Sequence, residues 1–320
     1  MSRKTTLSSN VASTLNKEHG LKCIAFSSDD LYLPFVEQLK VAQVNAGNKL
    51  LEYRGNAGTV DAALGREILL KLKGETEKLG GDNNSGNQEG GNLIEIPRYD
   101  KGLNQGRGDR APKDQWIKVE TGTGGAGVST DVDVVLFEGW NMGFLPVSDS
   151  AVEKIFADNH KAKQTSKNKS ENKQVNENEG GNEDGDETAS EIENPYHYTL
   201  QHKLQDIKTI NNNLKQHQQK WYGLFDLFVY IRTDNLNNIY EWRIEQEKQL
   251  LKQKDSTNRG AMTDDQVQEF VARFMPCYEV NGTELSRVGR VTGPENAHHP
   301  PPILTLVFDK FRDLVASSTA

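Results

Sequence analysis

Short apolar runs recur along the chain and predict buried β-strands. The clearest covers residues 132–137 (VDVVLF), which is rich in β-branched residues and ends abruptly at Glu138-Gly139-Trp140. A run of this kind is typical of a strand that is buried on both faces of a parallel sheet. Four further runs predict strands at Lys22–Ser27, Leu93–Ile96, Leu224–Ile231 and Ile303–Phe308.

Helical spacing of apolar residues separates these runs. Leu7, Val11 and Leu15 lie four residues apart, and Gly20 follows as a stop signal. The same reasoning predicts helices after an N-cap at Thr59, from Leu200, over Asn237–Lys252, and from an N-cap at Thr263 to about Phe274. Strands that alternate with helices indicate an α/β fold with a parallel sheet.

Two low-complexity segments interrupt the pattern. Gly80–Gly91 is rich in glycine and asparagine, and Lys161–Glu193 contains almost no apolar residues. Such composition cannot bury enough apolar surface to order a segment, so we expect both to be disordered. The prediction is therefore a single domain over residues 1–320, with insertions at 79–92 and 159–194.

Composition limits the class of protein. The chain has 320 residues, 35% hydrophobic, and a formal net charge of −8, which argues against a nucleic-acid partner. It contains no apolar run long enough for a membrane span and no apolar core of a signal peptide. The two cysteines, Cys23 and Cys277, are too few for a disulfide framework. We expect a cytoplasmic protein with no membrane partner, and the nucleus remains an open alternative.

Carboxylates follow two of the predicted strands. Asp29 and Asp30 come after the strand at 22–27, and Glu138 ends the strand at 132–137. Ligands of open α/β sheets bind at the carboxyl ends of the strands, where such acids can act as a general base or hold Mg²⁺. The alternatives are that Glu138 starts a polar loop and that Asp30 is a helix N-cap.

The first residues contain part of a phosphate-binding motif. Lys4 and Thr5 open the first predicted helix, as the last two residues of the motif G-x-x-x-x-G-K-[ST] do. In that motif the lysine reaches phosphate oxygens and the hydroxyl binds Mg²⁺. The glycines of the motif do not precede Lys4, and Arg3 stands in the place of the last one. A Lys-Thr pair at a helix start is also common without function.

Taken in order, six segments resemble the P-loop kinases related to uridine and pantothenate kinases, which include plant-type D-glycerate 3-kinase and its fungal ATP-dependent kinase-like relatives. The segments are SSDDLYLP (27–34), RGNAGTVD (54–61), PRYDKGLNQGRGDRAP (97–112), VDVVLFEGWNMGF (132–144), TDNLNNIYEWRIEQE (233–247) and MTDDQVQEFVARFMPCY (262–278). The resemblance implies a three-layer P-loop NTPase fold with a parallel sheet and a helical lid. It also implies ATP and Mg²⁺ as cofactors.

The resemblance assigns a role to ten residues. ATP phosphates would be bound by Lys4, Thr5 and Thr6, and Mg²⁺ by Thr5 and Glu138. Asp29 would take the proton from the acceptor hydroxyl, and Arg243 on the lid would neutralise the transferring phosphoryl group. The acceptor site, with D-glycerate as the leading candidate, would be lined by Arg54, Asp100, Lys101 and Arg110. Each arginine could instead form a surface ion pair.

The chain departs from the family pattern at two places. The first strand and the glycine half of the phosphate loop are missing before Lys4, and the strand is central in the family's sheet. Ala57 and Val60 replace the proline and histidine of the family pattern RGxPGTHD, and this difference leaves the specificity for the acceptor open. The first hypothesis is an ATP-dependent kinase that phosphorylates a small-molecule hydroxyl. The second is a non-catalytic relative with weakened ATP binding, and a nucleotide hydrolase is a third.

Overall fold

Four small sheets form the β-structure of the computed structural model, which describes residues 3–75, 92–122, 131–176, 197–252 and 263–320. The strands are β1 (Cys23–Ser27), β2 (Asn92–Ile96), β3 (Tyr99–Asp100), β4 (Asp109–Arg110), β5 (Ile117–Thr121), β6 (Val134–Glu138), β7 (Phe228–Thr233), β8 (Ile303–Phe308) and β9 (Leu314–Thr319).

The helices lie mostly between these strands. They are α1 (Arg3–Glu18), α2 (Phe35–Val44), α3 (Ala62–Leu72), α4 (Asp149–Asn176), α5 (Leu204–Lys220), α6 (Asn238–Lys252), α7 (Asp264–Ala272), α8 (Met275–Cys277) and α9 (Thr283–Val288). A π-helical turn, Tyr278–Gly282, joins the last two. In the described part of the chain, no helix is both long and apolar enough to cross a bilayer.

Two parallel strand pairs form the centre of the fold. β1 pairs with β6 so that Ser27 lies opposite Glu138, and β7 pairs with β8. β9 adds to β8 in the antiparallel direction. Among the described residues, β6 is paired only with β1 and β7 only with β8, so each has one open edge. The expectation of parallel strands is confirmed, but the strands do not form one continuous sheet.

Exposure of the central strand differs from the prediction. All five residues of β6 are half-buried, so the expectation that this strand is buried on both faces is wrong. The reason is its open edge, because no second neighbouring strand covers the side chains there in the described part of the chain. β7 also starts at Phe228, because Leu224 belongs to a 3₁₀ turn (Tyr222–Leu224).

Two further boundaries differ from the prediction. The N-cap of α3 is Asp61, whose side chain accepts a hydrogen bond from Leu64 N at 3.0 Å, whereas Thr59 closes the preceding turn by donating to Asn56 O. Residues 161–176 continue α4, so the expectation of disorder is wrong there. Extending an existing helix costs little compared with starting one, and it needs no apolar residues. The rest of that segment and residues 80–91 lie outside the described residues.

An aromatic cluster holds the two strand ends of the site in place. Phe26 in β1 and Phe137 in β6 are stacked with ring centroids 4.7 Å apart. Trp221, which is fully buried, contacts Phe137 edge-on at 5.2 Å and donates a hydrogen bond to Ala62 O. This packing joins the strand pair to α3 and α5, so the carboxyl ends of β1 and β6 are anchored to the buried core.

Candidate active site

The start of α1 meets the end of β6. Thr5 Oγ1 donates a hydrogen bond of 2.7 Å to Glu138 Oε1, across 133 residues of sequence. A hydroxyl and a carboxylate oxygen are ligands that suit Mg²⁺, which commonly keeps several waters and needs few protein ligands. The donor chemistry of this pair therefore fits the ion. Within the described ranges there is no group of three or more acids, histidines or cysteines that could hold a metal ion by itself.

The other two predicted phosphate-binding residues lie beside Thr5 in the first turns of α1. Thr6 is exposed. The side chain of Lys4 lies outside the described residues. The resemblance predicted that Thr5 and Glu138 both bind Mg²⁺, and the structure brings these two side chains into contact; their roles stay predictions.

Asp29 and Asp30 have different surroundings although they are neighbours. Asp30 is 9% exposed, and with Ser27 it forms the capping box of the 3₁₀ turn Ser28–Leu31. Its carboxylate also accepts from Tyr99 N and pairs with Arg98 at 3.3 Å. Burial raises the pKa of Asp30, and the Arg98 charge opposes that effect. Of the two readings left open for Asp30, the structure favours the capping role.

Asp29 faces the loop that was expected to line the acceptor site. Its carboxylate forms an ion pair of 2.5 Å with Lys101. It also accepts a hydrogen bond from the hydroxyl of Tyr32. Burial raises the pKa of Tyr32 well above its usual value, and the charge of Asp29 and this hydrogen bond add to the effect. Tyr32 therefore stays protonated and orients Asp29, a role that sequence reasoning missed.

The remaining predicted acceptor residues, Arg54, Asp100 and Arg110, have different partners. Arg54 donates from Nη1 to Gly106 O at 2.9 Å and lies over the Tyr99 ring at 5.5 Å. Asp100 accepts from Gly102 N at 2.7 Å, which closes a turn within the loop. Arg110 pairs with Asp61 at 2.9 Å and donates to Tyr32 O. Of the four predicted acceptor residues, only Lys101 is shown in contact with Asp29, while Arg54, Asp100 and Arg110 are engaged in holding the loop.

Arg243 on α6 is bound within its own region. It pairs with Glu247, one helical turn away, at 2.8 Å, and lies over the Phe270 ring at 5.1 Å. Its Nε atom is buried without a hydrogen-bond partner in the described part of the chain. Arg243 is therefore not in contact with Asp29 or Glu138 in this conformation.

The loop after β6 connects three signature segments. Trp140 donates from Nε1 to Gly55 O at 2.8 Å and packs edge-on against Phe274 at 4.9 Å. Gly55 has φ of 140°, and a Cβ there would lie 2.5 Å from the Phe274 ring, so only glycine fits. The contacts of Trp140 with Gly55 and Phe274 place residues 54–58 and 273–278 against the end of β6. The order of these segments in the sequence gives no indication of that arrangement.

Comparison with known proteins identifies relatives of the chain. It is 27% identical over 297 residues to D-glycerate 3-kinase, chloroplastic, of Arabidopsis thaliana, covering 93% of this chain and 48% of that protein. It is 28% identical to the probable ATP-dependent kinase TDA10 of Saccharomyces cerevisiae, covering 83% of this chain and 69% of that protein. The chain thus spans about half the length of the Arabidopsis relative. No protein-family model matches the chain.

A solved structure has the same fold. D-glycerate 3-kinase from Cryptococcus neoformans superposes with a TM-score of 0.71 at 25% identity, covering 98% of this chain and 85% of that one. This likeness agrees with the α/β fold and its parallel strands. The resemblance that the six segments carry is confirmed: the chain is a homologue of proteins named D-glycerate 3-kinase and ATP-dependent kinase.

Proposed function

We propose that the protein is an ATP-dependent small-molecule kinase that transfers the γ-phosphoryl group to a hydroxyl acceptor, with D-glycerate as the leading candidate. The observation that carries the proposal is the contact of Thr5 with Glu138 at 2.7 Å, on the same sheet edge as Asp29. A hydroxyl and acid suited to Mg²⁺ therefore lie at the same end of the β1–β6 pair as a carboxylate suited to proton transfer. The names of the relatives support the reaction class and the acceptor.

Each side chain has one task in this mechanism. Thr5 and Glu138 would hold Mg²⁺, which neutralises charge on the phosphates when bound. Asp29 accepts the proton of the acceptor hydroxyl, and Tyr32 holds its carboxylate in place. Lys101 leaves its ion pair with Asp29 to bind the acceptor or the phosphoryl group. Arg243 reaches the phosphoryl group only after it separates from Glu247, which requires movement of α6 as a lid.

We further infer that an additional strand fits between β6 and β7. The support is the strand pairing, since each of these strands has one open edge among the residues that the structure describes. A parallel strand between them ends at the carboxyl edge, where α1 starts beside Glu138. A glycine loop that follows this strand and leads into Lys4 would provide the backbone N–H groups that bind phosphate.

The competing reading is a non-catalytic relative with weakened ATP binding. Arg243 is bound to Glu247 and not to the candidate site in this conformation, which is compatible with that reading. A thermal-shift titration with Mg²⁺-ATP separates the two readings. A ligand at 100 times its Kd stabilises a protein by about 2.7 kcal/mol, a shift of a few degrees. The kinase proposal would be contradicted if Mg²⁺-ATP shifted the melting temperature neither of the 320-residue chain nor of a version that carries the additional strand and loop.

A matched pair of variants tests the chemistry. Asp29→Asn removes the proton acceptor and is expected to lower kcat for D-glycerate by a factor of roughly 10² to 10⁴, while the thermal shift with Mg²⁺-ATP is unchanged. Asp30→Asn is the control, because the Asp30 carboxylate serves the capping box. This variant should lower the melting temperature and leave kcat of the folded protein nearly unchanged. Undiminished turnover in Asp29→Asn would show that Asp29 is not the base.

A further inference from the structure

The helix that carries Arg243 is held on two faces. Arg243 lies on the face that packs against α7, where it pairs with Glu247 and lies over an aromatic ring of α7. Asn238, Trp242 and Glu245 are spaced by four and three residues, which places them together on a different face of α6. Contacts of this second face therefore act on the position of Arg243 without touching it.

The second face of α6 contacts the turn between β8 and β9, residues 309–313. Trp242 donates from Nε1 to Lys310 O at 2.8 Å. Arg312 lies over the Trp242 ring, 5.3 Å from its centroid, and donates from Nη2 to Glu245 Oε2 at 2.6 Å. We call these contacts of Trp242 and Glu245 with residues 309–313 the α6 latch.

The turn is shaped by its own hydrogen bonds and not by α6. Asp309 Oδ1 accepts from Phe311 N and Asp313 N, each at 2.9 Å, and Arg312 N donates to Asp309 O at 3.0 Å. Arg312 has a φ of 69°, a left-handed conformation that is uncommon for residues other than glycine. The turn therefore presents Arg312 and Lys310 O to α6 in a fixed arrangement, and it stays intact when α6 is released.

Each contact of the α6 latch is weak by itself. A partly exposed ion pair and a single hydrogen bond each change an equilibrium by about fivefold. Arg312 Nε is buried with no hydrogen-bond partner in the described part of the chain, so the guanidinium group does not use its whole fork on Glu245. Such contacts hold a helix in one position and still break on the microsecond-to-millisecond timescale of lid motion.

We propose that Trp242, Glu245 and Arg312 are positioning residues that hold α6 in its withdrawn position. In that position Arg243 does not contact the candidate site, and closure of the lid has to break the α6 latch. The strength of the latch therefore sets the fraction of molecules whose lid is closed, and the apparent affinity for nucleotide scales with that fraction. This inference rests on the proposed function, because Arg243 has a phosphoryl group to bind only there.

Exchange of the Trp242 indole proton tests the α6 latch without any nucleotide. The proton exchanges only while its hydrogen bond to Lys310 O is broken, and NMR measures the rate. Glu245→Gln removes the ion pair, so the proton should exchange about fivefold faster, because the contacts of the latch open as one unit. The Trp116 indole proton, bonded to Ala111 O at 2.8 Å, is the internal control and should be unaltered. Equal rates at Trp242 in the variant and in the unaltered chain would overturn the inference.

Nucleotide affinity gives the second readout, and its sign separates a latch from a merely structural contact. In Glu245→Gln the Kd for Mg²⁺-ATP should fall by up to about fivefold. Isothermal titration calorimetry measures it on the form of the chain that the thermal shift shows to bind Mg²⁺-ATP. A contact that only stabilises the fold would lower the melting temperature and leave the Kd unaltered or higher, which would also overturn the inference.

Matched variants control both readouts. Glu284→Gln removes an ion pair that Glu284 forms with Arg287 on α9, also at 2.6 Å, and it should change neither the exchange rate nor the Kd. Arg312→Gln should behave as Glu245→Gln does, and it decides the test if Glu245→Gln does not fold. Arg312→Lys keeps the charge and should lie between Arg312→Gln and the unaltered chain. Melting curves establish that each variant is folded.

The two proposals fail in different ways. If neither form of the chain binds Mg²⁺-ATP but the Trp242 proton exchanges faster in Glu245→Gln, the kinase proposal is overturned and the α6 latch stands as a restraint on the helix. If Mg²⁺-ATP binds and phosphate is transferred, but neither the exchange rate nor the Kd responds to Glu245→Gln, the latch is overturned and the kinase proposal stands.

Discussion

His217 makes the stability of the protein depend on pH. It is 1% exposed and stacks on Trp221 with ring centroids 4.4 Å apart. Burial lowers its pKa to about 4, compared with about 6.5 in an unfolded chain. Between these values the unfolded chain binds more protons, so the stability that neutral His217 contributes is complete above pH 6.5 and is lost as the pH falls toward 4.

We therefore predict that the contribution of His217 to the free energy of unfolding falls by about 2 kcal/mol when the pH is lowered from 7 to 5. Urea unfolding at the two pH values measures it. His217→Phe keeps a stacked ring but cannot titrate, so its pH dependence should be smaller by that amount. His298→Phe is the control, since His298 is exposed. An equal pH dependence in His217→Phe and the unaltered chain would contradict the prediction.

Some of the candidate site residues follow a pattern that the sequence shows. The positions of Thr5 and Glu138 could be predicted because a helix start and a strand end are visible as hydrophobic periodicity; the two side chains are in contact, and their roles stay predictions. The interaction of Tyr32 with Asp29 could not be predicted. It depends on the loop after β1, and no spacing rule says which loop side chain reaches which neighbour. The only signal was the presence of Tyr32 in the segment at 27–34.

At the scale of elements, one carboxylate serves two purposes at the start of α3. Asp61 accepts from Leu64 N with Oδ1 and from Arg110 with Oδ2 at 2.9 Å. Removing an N-cap costs about 1 kcal/mol. The ion pair is partly exposed, with side-chain exposures of 17% and 29%, so its loss costs up to about 1 kcal/mol.

Two variants separate these contributions. Asp61→Ala should lower the free energy of unfolding by about 2 kcal/mol, because it loses both interactions. Asp61→Asn keeps the cap and should lose about half as much. Chemical denaturation with urea measures both values. Equal losses in the two variants would show that the cap contributes nothing, and an unaltered stability of Asp61→Asn would show that the ion pair contributes nothing.

Element boundaries were predictable where polar residues flank an apolar run. β8 has the predicted bounds, Ile303–Phe308, because prolines precede it and Asp309 follows. β7 starts four residues later than predicted, because Leu224 and Phe225 are apolar yet belong to a turn. Phe225 packs on Phe228 with ring centroids 6.2 Å apart. An apolar run shows that residues are buried, but not where a strand ladder begins.

For the whole molecule, the division of the central sheet is the main departure from the predicted fold. The alternation of strands and helices predicted parallel strands, and both parallel pairs are present. Strand order depends on long-range pairing that periodicity does not encode. The open edge of β7 carries apolar residues that are unusually exposed, Val229 at 45% and Ile231 at 36%. Covering them is favourable at about 25 cal/mol per Å².

Hydrogen–deuterium exchange tests whether an additional strand pairs with both open edges. In the 320-residue chain, amides of β8, which is paired on both sides, should exchange more slowly than amides of β6 and β7. A chain extended at its N-terminus by a strand and a glycine loop should protect β6 and β7 together, by about tenfold or more, since each 1.4 kcal/mol of opening free energy slows exchange tenfold. β8 is the internal control and should change less. Unaltered exchange in β6 and β7 of a folded extended chain would contradict the pairing, because a strand bonded to both edges would protect the amides of both.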